Sequence, residues 1–182
     1  MRQTLVRESR APLRILEVGA GVGPVSSVLA ARMLPGDTLD IVELDEGFCA
    51  TLREVVGGRP GVRIHHGDVL THVASAPYDR IVSGLPLANF PHDQVRAIYT
   101  HLFDSLSDRG LLVNFQHLLL RQLIGRFATA AHRERARALL RLEQALKPTL
   151  VRRVPVPRNV PPAEVLVRRR PAGGVGALLS RA

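Results

Sequence analysis

The chain contains no tryptophan and one cysteine, and only 4% of its 182 residues are aromatic. The single Cys49 excludes an intrachain disulfide framework and suits a reducing compartment. No segment has the ~18 or more consecutive apolar residues of a transmembrane helix, and no apolar run follows the basic N-terminus as in a signal peptide. With 46% hydrophobic residues, we expect one cytoplasmic globular domain without a membrane span.

Lysine is also nearly absent, since Lys147 is the only lysine among 25 basic residues. The net charge of +9 is unevenly distributed along the chain. Residues 1–120 carry 11 Arg and 13 Asp or Glu, whereas residues 121–182 carry 14 Arg or Lys and three Glu. Such a basic half attracts anionic partners, either RNA or an anionic membrane surface. Charge alone does not choose between the two.

The most informative stretch is residues 14–31, RILEVGAGVGPVSSVLAA. It predicts a short apolar strand, a turn with Gly19, Gly21 and Gly23, and a helix that begins near Pro24. Alternate glycines bring backbone amides close to a ligand, and the helix start offers free N–H groups to an anionic group. The alternative is an ordinary strand–turn–helix with small residues for packing.

Acidic residues follow or end the next two predicted strands. Glu43 ends a strand over residues 38–44, and its carboxylate, 20 residues beyond Gly23, can accept hydrogen bonds from a ribose diol. Asp45 is a second candidate, although we expect it to cap a helix over residues 46–56. Asp68 follows a strand over residues 62–65 and either contacts a ligand or caps a short helix at residues 70–76.

The pattern Glu17-x-Gly19-x-Gly21-x-Gly23 resembles motif I of the class I S-adenosylmethionine (SAM) methyltransferases, and Gly67-Asp68 resembles their motif III. The resemblance implies an α/β fold, a doubly wound Rossmann-like sheet of order 3-2-1-4-5-7-6 with strand 7 antiparallel. It also implies SAM as cofactor and S-adenosylhomocysteine (SAH) as product. The implied cofactor-binding residues are Glu17, Gly19, Ala20, Gly21, Gly23, Glu43, Leu44, Gly67, Asp68, Val69, Ser83 and Gly84.

After a fourth strand over residues 78–82, the sequence Ser83-Gly-Leu-Pro-Leu87 stands at motif IV. Enzymes that methylate adenine amino groups place Asn and an aromatic residue here, where this chain has Gly84 and Leu87. With so few aromatics, a flipped base has little to stack on, which disfavours a nucleic-acid substrate. The motif instead resembles that of bacterial phospholipid N-methyltransferases and ornithine-lipid N-methyltransferases, as does Asn159-Val-Pro-Pro-Ala163.

The resemblance implies an aminolipid substrate, such as phosphatidylethanolamine, that contacts Leu85, Pro86, Leu87 and Asn159. Candidate proton acceptors for its amine are His117, His92 and Asp93. Family members follow the fifth strand with Gln-Phe-Thr-Tyr, whereas residues 114–117 read Asn-Phe-Gln-His, which leaves the lipid undefined. Two other functions stay open: a methyltransferase acting on rRNA or a small-molecule amine, and a non-catalytic Rossmann-like binding module.

Residues 117–146 predict a long basic helix, with residues 118–127 as a segment that contacts the inner face of the cytoplasmic membrane. Its alternative is packing on the sheet with the arginines in solvent. We expect a fifth strand over residues 110–115 and terminal strands over residues 149–156 and 165–170. Residues 1–170 then form a single domain with a lead-in over 1–13, and residues 171–182 form a flexible tail. We expect no metal site, and the oligomeric state stays open.

Overall fold

The computed structural model describes residues 11–117, 130–157 and 163–180. The strands are β1 (Arg14–Val18), β2 (Thr38–Glu43), β3 (Val62–His66), β4 (Tyr78–Ser83), β5 (Leu106–His117), β6 (Leu150–Val156) and β7 (Ala163–Arg169). The helices are α1 (Pro24–Ala30), α2 (Glu46–Val56), α3 (His92–Asp104), α4 (Ala130–Ala145) and α5 (Gly176–Leu179). Short 3₁₀ turns occur at Val69–Thr71, Leu87–Asn89 and Lys147–Thr149.

The strands form one seven-stranded sheet in the order β3-β2-β1-β4-β5-β7-β6. Strands β1 to β5 pair in parallel, and β7 lies antiparallel to both β5 and β6. This confirms the doubly wound sheet and the antiparallel seventh strand. The strand order reverses between β1 and β4, and ligands of such sheets bind beyond the carboxyl ends of the strands at this point.

Alternate residues of the strands belong to two separate hydrophobic cores, because neighbouring side chains of a strand point to opposite faces of the sheet. Leu16 and Val18 of β1 face the core that α3, α4 and α5 cover. Ile15, which directly precedes Leu16, faces the core that contains residues of α1 and α2. The central strands therefore read as nearly continuous apolar runs, as expected of a parallel sheet covered on both sides.

A buried polar network attaches α4 to the sheet. Arg168 of β7 is 2% exposed and forms an ion pair with Glu143 of α4. The Arg168 guanidinium also donates to the Leu146 carbonyl over 3.0 Å, and the Tyr99 hydroxyl of α3 donates to the other Glu143 oxygen over 2.7 Å. The Glu143 carboxylate thus joins α3, α4 and β7. It also neutralises Arg168, since a buried charge is unfavourable without a partner of opposite charge.

The structure differs from the sequence-based expectations at several element ends. Strand β5 begins at Leu106 and continues to His117, and so extends beyond both ends of the strand expected over residues 110–115. The segment predicted as a flexible tail instead packs on the domain, because Val175 and Leu179 are each 1% exposed. The predicted membrane-contacting residues 118–127 lie outside the described residues. In the part that is described, no helix is both long and apolar enough to cross a membrane.

Candidate functional site

Backbone hydrogen bonds connect the loops after β1, β3 and β4 to the ends of neighbouring strands at the carboxyl edge of the sheet. Gly19 N–H donates to the Val42 carbonyl over 3.1 Å, and Gly84 N–H donates to the Val18 carbonyl over 2.8 Å. Gly67 N–H donates to the Glu43 carbonyl over 2.9 Å. The predicted motif residues after β1, β2, β3 and β4 are therefore brought to one edge.

The glycine turn has the backbone that its sequence predicts. Gly19, Gly21 and Gly23 have φ angles of +68°, +56° and +85°, a left-handed region that side chains with a Cβ disfavour. A Cβ atom on Gly21 would meet nothing within 4 Å, so the middle of the turn faces open space. Gly23 is the N-cap of α1. The turn is thus an open cradle at a helix start.

Glu43 fastens this turn to the end of β2. One carboxylate oxygen accepts from Gly21 N–H over 2.9 Å, and the other accepts from Leu44 N–H over 2.8 Å and Asp45 N–H over 3.1 Å. The carboxylate therefore orders the turn, a role that sequence reasoning missed. Each carboxylate oxygen has two acceptor sites, so the oxygen that holds Gly21 can still accept from a ligand.

Glu17 is 2% exposed on β1. Among the described residues its Oε2 atom has no hydrogen-bond partner. The pKa of Glu17 is raised to about 7, mainly by burial; Ser26 lowers it in part, and the Glu43 charge makes a smaller contribution to the rise. A cationic ligand group would donate a hydrogen bond to this oxygen and would favour the charged form of the carboxylate.

Asp68 and Asp45 are both helix caps. Asp68 Oδ1 accepts from Leu70 N–H over 2.9 Å at the start of the 3₁₀ turn Val69–Thr71. Asp45 Oδ1 accepts from Phe48 N–H over 2.9 Å at the start of α2. Capping by Asp45 confirms the expectation for that residue. A ligand contact of Asp68 stays a prediction, since capping occupies one of its two oxygens.

Gly84 allows the loop after β4 to lie directly on the glycine turn. A Cβ atom on Gly84 would lie 2.5 Å from the Gly19 carbonyl oxygen, closer than van der Waals contact permits. The next residue, Leu85, covers Gly19, where an added Cβ would lie 2.8 Å from Leu85 Cδ2. No larger residue, asparagine included, fits position 84 with this backbone.

The three candidate proton acceptors are placed differently. His92 begins α3, and its Nε2 atom is buried without a partner in the described part of the chain. Asp93 instead lines a groove of about 880 Å³ between α3 and residues 72–77, which includes no motif residue. His117 ends β5, with its backbone paired to Ala163, and its side chain lies outside what the structure describes. Asn159 also lies outside the described residues.

Sequence reasoning missed one polar residue at this edge. Asn114 interrupts the apolar run of β5, is 4% exposed, and lies in register with Ser83 at the end of β4. Within the described ranges, Asn114 Oδ1 and Ser83 Oγ are buried without hydrogen-bond partners. The available signal was a lone amide within Leu-Leu-Val-Asn-Phe. The described residues contain no cluster of three or more His, Cys, Asp or Glu suited to a metal ion.

Curated relatives include proteins of different named activities. The chain is 32% identical over 102 residues to an ornithine lipid N-methyltransferase of Singulisphaera acidiphila, covering 53% of each chain. It is 29% identical over 117 residues to a ribosomal RNA small subunit methyltransferase A of Marinobacter nauticus, covering 63% of this chain and 39% of the relative. The chain thus spans about half the length or less of these relatives.

Two further comparisons concern the fold and the family. The N-methyltransferase NodS of Bradyrhizobium japonicum, solved with SAH, has a TM-score of 0.66 and 20% identity, covering 88% of this chain and 79% of that one. This likeness shows a shared methyltransferase fold. The family model described as "Ribosomal RNA adenine dimethylase" matches residues 6–167. With this match over most of its length, the chain belongs to the ribosomal RNA adenine dimethylase family of SAM-dependent methyltransferases.

Proposed function

We propose that this protein methylates the amine of a membrane aminolipid, either phosphatidylethanolamine or an ornithine lipid. The observation that carries the proposal is Gly84, whose Cβ position lies 2.5 Å from the Gly19 carbonyl oxygen. Enzymes that methylate adenine amino groups have an asparagine where this chain has Gly84 and an aromatic residue where it has Leu87. The backbone here has no room for that asparagine, and Leu87 offers no ring for a base. The lipid relative supports the same direction.

The glycine turn and its carboxylates fit SAM. Glu17, buried with a partnerless oxygen, would hold the amino group, and the open turn around Gly21 would accommodate the methionine part. Glu43 would accept from the ribose hydroxyls, and Asp68 from the adenine amino group. When bound, SAM supplies an electrophilic methyl group. Three other residues assigned to the cofactor, Ala20, Leu44 and Val69, flank these positions.

The residues near the acceptor would favour an uncharged amine. An ammonium ion has no lone pair, and burial in an apolar environment disfavours the charged form. Leu85, Pro86 and Leu87 would form the walls, with Asn159 as a further contact. Among the candidate proton acceptors, the buried Nε2 of His92 is favoured over Asp93, which lines the separate groove. His117 stays a candidate because its backbone ends β5 at the same edge.

Exposed basic and apolar residues of α4 and of the segment that follows it would contact anionic lipid. Arg137 and Arg141 of α4 are exposed, as is Lys147 at the start of the following 3₁₀ turn. Two apolar side chains in the same part of the chain, Leu140 and Val151, are 40% and 50% exposed. Cations near an anionic membrane contribute about 1 kcal/mol each. These features support peripheral attachment to the inner face of the cytoplasmic membrane.

Adenine methylation is the second candidate, because the family model that matches the chain is named for ribosomal RNA dimethylation. The basic half of the chain suits RNA as well as lipid. The two candidates differ in what must fit beside Gly84. A base needs a flat, stacking contact, whereas a lipid amine needs a narrow apolar channel.

The proposal is tested with purified protein and methyl-labelled SAM. Phosphatidylethanolamine vesicles, ornithine-lipid vesicles, ribosomal RNA and ethanolamine are offered separately, and products are identified by mass spectrometry. We expect label on a lipid amine. Label on adenine would replace the proposal by the second candidate, and failure of a folded sample to bind SAM would favour a non-catalytic module.

The membrane surface is tested by reversing its charge. The triple variant Arg137→Glu, Arg141→Glu, Lys147→Glu should sediment with anionic vesicles about 100-fold less strongly, from about 1 kcal/mol for each cation. The control reverses three exposed arginines in the first half of the chain, Arg32, Arg53 and Arg59, and should bind nearly as wild type. Equal losses in both variants would mean that overall charge, and no particular surface, attracts the vesicles.

A further inference from the structure

Ser83 and Asn114 form a pair of buried polar side chains beside the proline corner. They are register neighbours on the adjacent parallel strands β4 and β5, so their side chains point to the same face of the sheet. That face is the one covered by α3, since Ile81 and Leu112, two residues earlier on each strand, belong to its core. The exposed fractions of Ser83 and Asn114 are 2% and 4%.

Each of these side chains has a buried oxygen without a partner. In the part of the chain that the structure describes, neither Ser83 Oγ nor Asn114 Oδ1 has a hydrogen-bond partner. A buried acceptor without a partner is unfavourable, and native proteins contain few of them. Two on neighbouring strands at the ligand-binding edge of the sheet indicate that a ligand supplies the missing donors.

The pair lies on the same side of the sheet as the loop that would form the acceptor channel. Leu85, Leu87 and Phe90 pack against the core to which the Ser83 and Asn114 side chains turn. Gly84, between Ser83 and Leu85, leaves no side chain at position 84, and no larger residue fits there. The hydrogen-bond donors of the methyl acceptor therefore have to bind to side chains at neighbouring positions.

We propose that Ser83 and Asn114 bind the nitrogen of the methyl acceptor, which is a primary amine. This rests on the proposed function, because it specifies the acceptor part of the same site. A neutral primary amine has two N–H groups, one for each oxygen, and keeps its lone pair, whereas a hydroxyl group has one hydrogen to donate. Neither side chain is charged, so the pair favours the neutral amine, the form that has a lone pair.

The test compares two variants that keep the volume of the site. Asn114→Leu and Ser83→Ala remove the oxygens, and Thr38→Val is the control. Thr38 Oγ1 is also buried without a partner in the described chain, but Thr38 begins β2 at the opposite edge of the sheet. For each protein we measure thermal unfolding, SAH binding by calorimetry, and binding of O-phosphoethanolamine to the SAH-loaded protein by NMR titration. The kcat and KM are measured with the acceptor that wild type methylates.

We expect Asn114→Leu and Ser83→Ala to keep wild-type unfolding temperature and SAH affinity. Their affinity for O-phosphoethanolamine should fall at least 10-fold, and kcat/KM at least 100-fold, while the control is unchanged in all measurements. Unchanged amine binding and turnover in both variants would overturn the inference, and so would the absence of amine binding to wild type. A loss of SAH affinity in Ser83→Ala alone, with amine binding intact, would also overturn the inference, because Ser83 would then bind the cofactor and not the amine.

The result for the pair is separable from the result for the lipid. If wild type binds O-phosphoethanolamine through the two oxygens but methylates only RNA, the lipid substrate is wrong and the amine-binding pair is supported. If wild type, Asn114→Leu and Ser83→Ala all methylate lipid equally well, the lipid substrate is supported and the amine-binding pair is wrong.

Discussion

Replacing Glu17 by glutamine separates the stability of the protein from its affinity for SAM. Burial raises the pKa of the Glu17 carboxyl from 4.5 to about 7. The folded state therefore binds its proton more tightly than the unfolded state. The stabilisation from this proton is fully present below about pH 4.5 and is lost as the pH rises towards 7. At 1.36 kcal/mol for each pKa unit, the loss is about 3 kcal/mol.

Glutamine resembles the protonated carboxyl, so Glu17→Gln should unfold at a higher temperature than wild type at pH 8. For a domain of this size, about 3 kcal/mol corresponds to an increase of about 6–12 °C. At pH 4.5 the two SAM-free proteins should unfold at nearly the same temperature. In contrast, SAM affinity at pH 8 should fall at least 10-fold, because the ionised carboxylate is the expected partner of the ligand ammonium group.

The assay is thermal unfolding of the SAM-free proteins at both pH values, with calorimetric titration of SAM at pH 8. Glu46→Gln is the control, because Glu46 is an exposed glutamate of α2 and its replacement should change neither measurement greatly. A Glu17→Gln variant that is less stable than wild type at pH 8 would contradict a raised pKa of Glu17. So would a stability difference that is the same at both pH values.

Three further predictions follow from packing and charge. Gly84→Asn should lower the free energy of unfolding by about 1–3 kcal/mol, as overpacking does, whereas Gly58→Ala, with nothing within 4 Å of its added Cβ, should stay near wild type in urea unfolding. Glu143→Ala should destabilise by about 3–5 kcal/mol, because it leaves Arg168 as a buried unpaired cation; a loss under 1 kcal/mol would contradict this. Burial tends to raise the pKa of Asp40, but hydrogen bonds, of which the one from Arg63 has the largest effect, hold this pKa below its ordinary value of 3.8. Asp40→Asn should therefore destabilise by about 1–3 kcal/mol at neutral pH, and the difference should shrink as the pH falls through that lowered pKa.

The elements with local sequence signals were predictable. Asp45 precedes an amphipathic stretch, and the structure confirms it as the cap of α2. The glycines of the turn require left-handed backbone, and all three have it. The strand order came from the resemblance, which a pattern of strands alone would not have specified. These predictions succeeded because each depends on residues adjacent in sequence or on a motif of fixed spacing.

The remaining features depend on contacts between distant segments. Val175 and Leu179 follow a Pro- and Gly-containing stretch that favours a flexible tail, yet both are buried in the core. Arg168 is the first of three consecutive arginines, yet it is 2% exposed, because Glu143 and the Leu146 carbonyl bind its guanidinium group. The close approach of Gly84 to Gly19 joins two loops 65 residues apart. No local pattern reports such contacts.

The most direct test of the account is a calorimetric titration of SAH into wild type and into the double variant Glu43→Ala, Asp68→Ala. One SAH should bind to each wild-type chain, and the double variant, folded by circular dichroism, should bind it at least 100-fold more weakly. Wild-type protein that is folded and does not bind SAH would contradict the account. Equal affinity in the two proteins would contradict it as well.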